Sequence, residues 1–221
     1  MGHSVKRKLV FVALGDSLTV GYQSPSLAND WPEPAPYTLF LKRMTERLLQ
    51  DRGKTDFRVE FHNRGVVGEL TSDMLNRFQK DVVDLHPDYA IILGGSNDLG
   101  WDISPQSILK NLVEMYEEAV KHKIEPIACT VPSILGFDAG MPLRIELNGL
   151  IEGYCLMHGL ICVDLFTATC DPRTKRLKEE FSNDGLHLNR RGYEAVAEVI
   201  FASAVRRIVL TRLGADMALT H

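Results

Sequence analysis

Cysteine is scarce in this chain and poorly spaced for metal or redox chemistry. There are four in 221 residues, at Cys129, Cys155, Cys162 and Cys170. No two form a C-x-x-C, and no histidine pair stands at helical metal-ligand spacing. A zinc site is therefore not expected, and free buried thiols in a reducing cytosol are. Long apolar runs are missing too, since no stretch approaches the ~20 residues of a membrane span. Lys6-Arg7-Lys8 is followed only by the short run Leu9–Leu14, which meets a Gly-Asp pair rather than a small-residue cleavage site. No signal peptide is expected on that pattern, and a cytoplasmic location is. Positive charge is not in excess. The net charge of −4 leaves no electrostatic case for nucleic acid or an anionic membrane as partner. Internal repeats, low-complexity tracts and interdomain linkers are absent from the sequence.

What the chain does have is a 45% hydrophobic content, enough for a substantial core, in a regular alternation of patterns. Short, β-branched apolar runs occur at Leu9–Leu14, Phe57–His62, Tyr89–Leu93, Ile124–Thr130 and Leu160–Val163, as expected of parallel strands buried on both faces. Amphipathic stretches separate them, over Tyr37–Gln50, Thr71–Val83 (with Thr or Ser as its cap) and Leu143–His158. Ser104-Pro105 reads as an N-cap with proline at the first helical position, opening a helix to about His122. The last helix runs from Asn189 to about Leu213. Strand–helix alternation of this kind predicts one doubly wound α/β domain over residues 1–213, with 214–221 as a loose tail.

Four islands then stand out: Gly15-Asp16-Ser17-Leu18, Asn63-Arg64-Gly65, Gly95-Ser96-Asn97-Asp98 and Asp184-Gly185-Leu186-His187. The first three each follow a predicted strand, and the fourth lies beyond strand five, before the last helix. In open α/β sheets, ligands bind outside the carboxyl ends of the strands. Ser17 is the candidate nucleophile, which needs a base to take its proton. His187 is that base, since an imidazole titrates near neutrality, at about pH 6.5 when unperturbed. Asp184, three residues earlier, can reach the far ring nitrogen and fix the tautomer. The backbone N–H groups of Ser17 and Gly65 and the side-chain amide of Asn97 are candidate oxyanion donors. Asp16 reads as a loop-bracing residue. Ser96 is a weaker nucleophile candidate, because Asp98 stands where a G-x-S-x-G elbow requires glycine. Trp31, Trp101, Leu135 and Phe137, in or beside long loops, are candidate substrate-binding residues.

On these islands the sequence resembles the SGNH (or GDSL) hydrolase superfamily over about Leu9–Ile208, closest to its lysophospholipase-like and acyl-esterase branch. The resemblance implies a flavodoxin-like three-layer α/β/α sandwich with a five-stranded parallel sheet of order 2-1-3-4-5. It also implies ester hydrolysis through an acyl-Ser17 intermediate, with no metal or other cofactor and a small acyl ester as substrate. Ser96 stands where many members carry threonine. A carbohydrate O-deacetylase, an acyltransferase and a non-catalytic binding domain on the same fold stay open as alternatives.

Overall fold

The computed structural model describes residues 8–27 and 29–218. Its elements begin with β1 (Lys8–Gly15), α1 (Ser17–Val20), α2 (Tyr37–Asp51), β2 (Arg58–Gly65), α3 (Thr71–Asn76) and α4 (Phe78–Asp81). They continue with β3 (Tyr89–Leu93), α5 (Ser96–Gly100), α6 (Pro105–Lys121), β4 (Glu125–Cys129) and α7 (Met141–His158). The chain closes with β5 (Ile161–Val163), α8 (Leu165–Thr169), α9 (Arg190–Ile200) and α10 (Arg206–Ala218). The five strands form one parallel sheet in the order β2-β1-β3-β4-β5.

Both sheet faces are covered, and the alternation of side chains along each strand builds two separate cores. On one face Leu9, Phe11, Ala13, Ile91, Leu93, Ile127 and Cys129 pack against α2, α9 and α10. On the other Val12, Leu14, Ala90, Ile92 and Ala128 pack against α3, α4, α6 and α7. Phe11 is the centre of the first layer, stacked between Phe61 and Tyr89 at centroid separations of 5.0 and 5.1 Å. All four cysteines are free; Cys129, Cys155 and Cys170 are buried and Cys162 is partly so.

The Ser104 hydroxyl caps α6 and Pro105 opens it, as the sequence predicts. Three features differ from the sequence reading. The stretch Thr71–Val83 is not one helix but α3 and α4, broken at Arg77, followed by a 3-10 turn at Val83–Leu85. Nor does Thr71 or Ser72 cap it with its own side chain; the Thr71 N–H and hydroxyl are both taken by the carboxylate of Asp98. The last helix contains a π-helical turn over Phe201–Val205 and runs on to Ala218, past Gly214 where a loose tail is expected. A helix absorbs one glycine at a cost of only about 1 kcal/mol, and no proline follows to end it.

In a sheet of this order the strand sequence reverses between β1 and β3, and the crevice at that reversal is where such folds bind ligands. Ser17 follows β1 and Asn97 follows β3, so both residues open onto that crevice.

Candidate active site

The loop that leads into α9 from α8 is shaped by one serine and one aspartate. The Ser182 hydroxyl donates to the carbonyl of His187 (2.6 Å) and accepts the N–H of Gly185 (2.8 Å). Asp184 Oδ1 accepts the backbone N–H groups of Leu186 and His187, at 2.9 and 2.8 Å. Asp184 Oδ2 lies 2.8 Å from His187 Nδ1 and also accepts the Ser24 hydroxyl. Asn189 then caps α9 by accepting the N–H groups of Arg191 and Gly192. From the other side, the N–H of Leu135 donates to the carbonyl of Gly185 at 2.8 Å. Burial alone would raise the pKa of Asp184. The hydrogen bonds from Ser24, His187 and the N–H groups of Leu186 and His187 outweigh it and hold the carboxyl well below the usual range. Asp184 is thus a carboxylate, and its bond to Nδ1 turns Nε2 to the front of the ring. Nε2 makes no hydrogen bond to any described residue.

Ser17 begins α1 where the chain leaves β1. The Asp16 carboxylate accepts the N–H of Leu18 at 2.9 Å, and the carbonyl of Asp16 accepts Thr19 and Val20. The turn that follows is joined to the histidine loop. The Tyr193 hydroxyl donates to the carbonyl of Tyr22 (2.7 Å) and lies 3.5 Å from that of Ser17. The Tyr22 ring stands edge-on to His187, with centroids 4.7 Å apart. Asn183 Nδ2 donates to the carbonyl of Ser24 (2.9 Å). Asp184 and His187 are therefore paired directly, and their loop is joined to the turn that begins at Ser17. The Ser17 hydroxyl and N–H, like Nε2, have no hydrogen-bond partner among the described residues.

The donors divide differently from the sequence expectation. The N–H of Gly65 is already committed to Asn63 Oδ1 at 2.9 Å. Its Cα packs so tightly that an added Cβ would lie 2.4 Å from the backbone nitrogen of Val20. Gly65 thus makes the close passage of β2 beside α1 and holds no free donor. Three residues on, Gly68 has φ +80° and open space around it, and its N–H meets no acceptor among the described residues. Asn97 Nδ2 donates one of its two hydrogens to the carbonyl of Glu69 (2.8 Å), which leaves the second available.

Arg77 secures this segment. Its Nε lies 2.8 Å from both oxygens of Glu69, and Nη2 lies 2.6 Å from Glu69 Oε2. Nη2 also reaches the carbonyls of Arg64 (2.8 Å) and Gly15 (3.2 Å), while Nη1 pairs with Asp81 at 2.9 Å. One planar guanidinium thereby ties the Gly68 loop to the ends of β1 and β2. Ser24, Gly68, Arg77 and Asn183 are the residues that sequence spacing misses. Ser24 meets a residue 160 positions away, and no local pattern announces such a contact.

Beside Asn97 lies a pocket of about 210 Å³, lined by Leu99, Trp101, Ile134, Phe137, Arg144 and Leu186 among others. Trp101 and Phe137 are thus walls of this pocket. Leu135 is not among the lining residues, and its contribution is the backbone bond to Gly185. Trp31 is 89% exposed and lines none of the described cavities. An open depression of about 790 Å³ between Asp138, Met141 and Arg176 contains none of the site residues.

The structure thus combines a doubly wound α/β fold with a carboxylate–imidazole pair and a serine at the sheet reversal. The chain belongs to the GDSL-like lipase/acylhydrolase family, which it matches over residues 13–195. It is similar to the uncharacterized lipoprotein YqeF of Bacillus subtilis (strain 168), at 36% identity over 132 residues. That match covers 57% of this chain and 49% of the relative, so the chain spans about half the length of that protein. Its fold is similar to the lipase/acylhydrolase from Enterococcus faecalis (28% identity, TM-score 0.69, 90% of this chain and 96% of that one). It is also similar in fold to a variant of an acetyl xylan esterase from Geobacillus stearothermophilus (16% identity, TM-score 0.71, 89% and 94%). No described helix is long and apolar enough to cross a membrane, and no described cluster of His, Cys, Asp or Glu would hold a metal ion.

Proposed function

We infer that the protein cleaves short- to medium-chain acyl esters through an acyl-Ser17 intermediate. The observation that carries this reading is the Asp184–His187 pair at 2.8 Å, joined to the Ser17 turn through Tyr22 and Tyr193. His187 Nε2 takes the Ser17 proton as Oγ attacks the ester carbonyl. Asp184 holds the proton on Nδ1 and stabilises the imidazolium. The developing oxyanion accepts the N–H of Ser17 and the free hydrogen of Asn97 Nδ2, and the third donor is the N–H of Gly68 in place of Gly65. His187 then protonates the leaving alcohol. Water, activated by the same imidazole, releases the acid and restores Ser17.

The modest volume beside Asn97 favours short acyl groups over long ones. The test is hydrolysis of p-nitrophenyl esters from acetate to palmitate by the native protein and by Ser17→Ala. The expected result is an optimum at short chains and a rate in Ser17→Ala reduced by at least 10⁴-fold. Retained activity in the variant would mean another nucleophile. Inertness toward simple esters with turnover of acetylated sugars would move the substrate to carbohydrate O-acetyl groups.

A further inference from the structure

The pocket next to Asn97 is apolar on most of its wall. Leu99, Trp101, Ile134, Phe137 and Leu186 line it, and a single charged residue, Arg144, closes it. Arg144 comes from the first turn of α7 and is only 4% exposed. Its guanidinium donates to the carbonyl of Pro132 (2.9 Å) and to the Ser96 hydroxyl (3.3 Å). Its Nε is sealed from solvent and has no hydrogen-bond partner in the structure. No carboxylate among the described residues forms an ion pair with it. The acid it senses at longer range is Asp16, which burial pushes up to about 7, so the compensation from that side is incomplete at neutral pH. Burial lowers Arg144 as well, to about 10, and it stays a cation at neutral pH.

A buried guanidinium without an anion is costly. Its planar fork has the geometry that receives a carboxylate through two parallel bonds. Asn97 lines this pocket and carries a free amide hydrogen, so an arm of an ester whose carbonyl oxygen meets Asn97 enters it. The pocket holds about 210 Å³, room for a few methylenes and a carboxylate. Resting on the ester-hydrolase reading above, we propose that Arg144 is a specificity-determining residue that receives a carboxylate at the far end of the acyl chain. The preferred substrates are then half-esters of short dicarboxylic acids. The walls take the methylenes, and Arg144, held by Ser96 and Pro132, takes the charge.

The test compares kcat/KM for methyl hydrogen glutarate with that for methyl pentanoate, followed by titration of the released acid, in the wild type, Arg144→Met and Arg144→Lys. The wild type is expected to favour the anionic ester at least tenfold. That ratio should collapse at least tenfold in Arg144→Met and survive in part in Arg144→Lys. Free glutarate should raise the melting temperature of the wild type and not that of Arg144→Met. Equal kcat/KM for the two esters in the wild type overturns the proposal, as does an unchanged ratio in a folded Arg144→Met. Where Arg144→Met does not fold, the wild-type ratio and Arg144→Lys decide. Failure to hydrolyse any ester, p-nitrophenyl acetate included, counts against the hydrolase reading alone; the glutarate-dependent shift then decides the anion site by itself.

Discussion

Asp16 directly precedes Ser17 and is almost fully buried, with Asp98 and Arg144 as the charged groups whose fields reach it. Burial is the largest influence on it and raises its pKa from 3.8 to about 7, against the Leu18 N–H bond and Arg144, which lower it. In the unfolded chain the same carboxyl ionises near pH 4. Between those values the folded state binds the proton and the unfolded state does not. The Asp16 contribution to stability is thus fully present below about pH 4 and is lost as pH rises through about 7. Asp16→Asn keeps the acceptor for Leu18 and carries no charge. Urea titrations of this variant from pH 4 to pH 8 are expected to lose the part of the pH slope that the wild type shows on the acid side of neutrality. At the same scale, Gly65 and Gly68 separate packing from chemistry. Gly65→Ala drives a methyl into the backbone of Val20 and should lower the melting temperature strongly. Gly68→Ala meets no atom, but strains φ +80° and shifts the N–H, so kcat should fall about 10- to 100-fold with only a small stability loss. Melting curves and ester kinetics on the two variants check both.

At the scale of the element, the Gly68 loop is held from both ends by groups outside it. Asn97 on α5 binds the carbonyl of Glu69, and Asp98, one residue on, binds the start of α3. Arg77 occupies the break between α3 and α4 and from there holds Glu69. Arg77→Met removes every one of these bonds while keeping much of the side-chain length. It is expected to reduce kcat about 10²-fold through a displaced loop, and to destabilise the fold by about 2–4 kcal/mol as Glu69 is left without its cation. Arg77→Lys, with a point charge in place of a fork, should recover stability better than kcat. Steady-state kinetics beside urea unfolding separate the two effects.

Across the whole molecule, the two sheet faces contribute unequally. The carboxylate, imidazole and Tyr193 arrive from the β5–α9 side, over the core that holds Phe11. The loop with Gly68, Asn97 and the Arg144 pocket lies over the other core. The site is complete only while β1 and β3 keep both layers in register. Phe11→Ala empties the ring stacked between Phe61 and Tyr89. It is expected to cost about 3–5 kcal/mol in urea unfolding, with kcat little changed below the new transition because Phe11 lies mid-strand, away from the carboxyl end of β1.

Short apolar runs and period-3.6 stretches determined the α/β class and most of the elements, since a strand covered on both faces is largely apolar and a covering helix must be amphipathic. The Gly-Asp-Ser and Asp-Gly-Leu-His islands also determined Ser17, Asp184 and His187 as candidates, because Asp184 reaches Nδ1 within one local turn. Contacts between distant segments were decided only by the tertiary structure. The Ser24 bond to Asp184, the Arg77 clamp on Glu69 and the burial of Arg144 join residues that share no sequence neighbourhood. The choice between Gly65 and Gly68 rests on the same reason. Both are glycines after β2, and only the packed position of Val20 and the acceptor on Asn63 reveal which N–H is already spent.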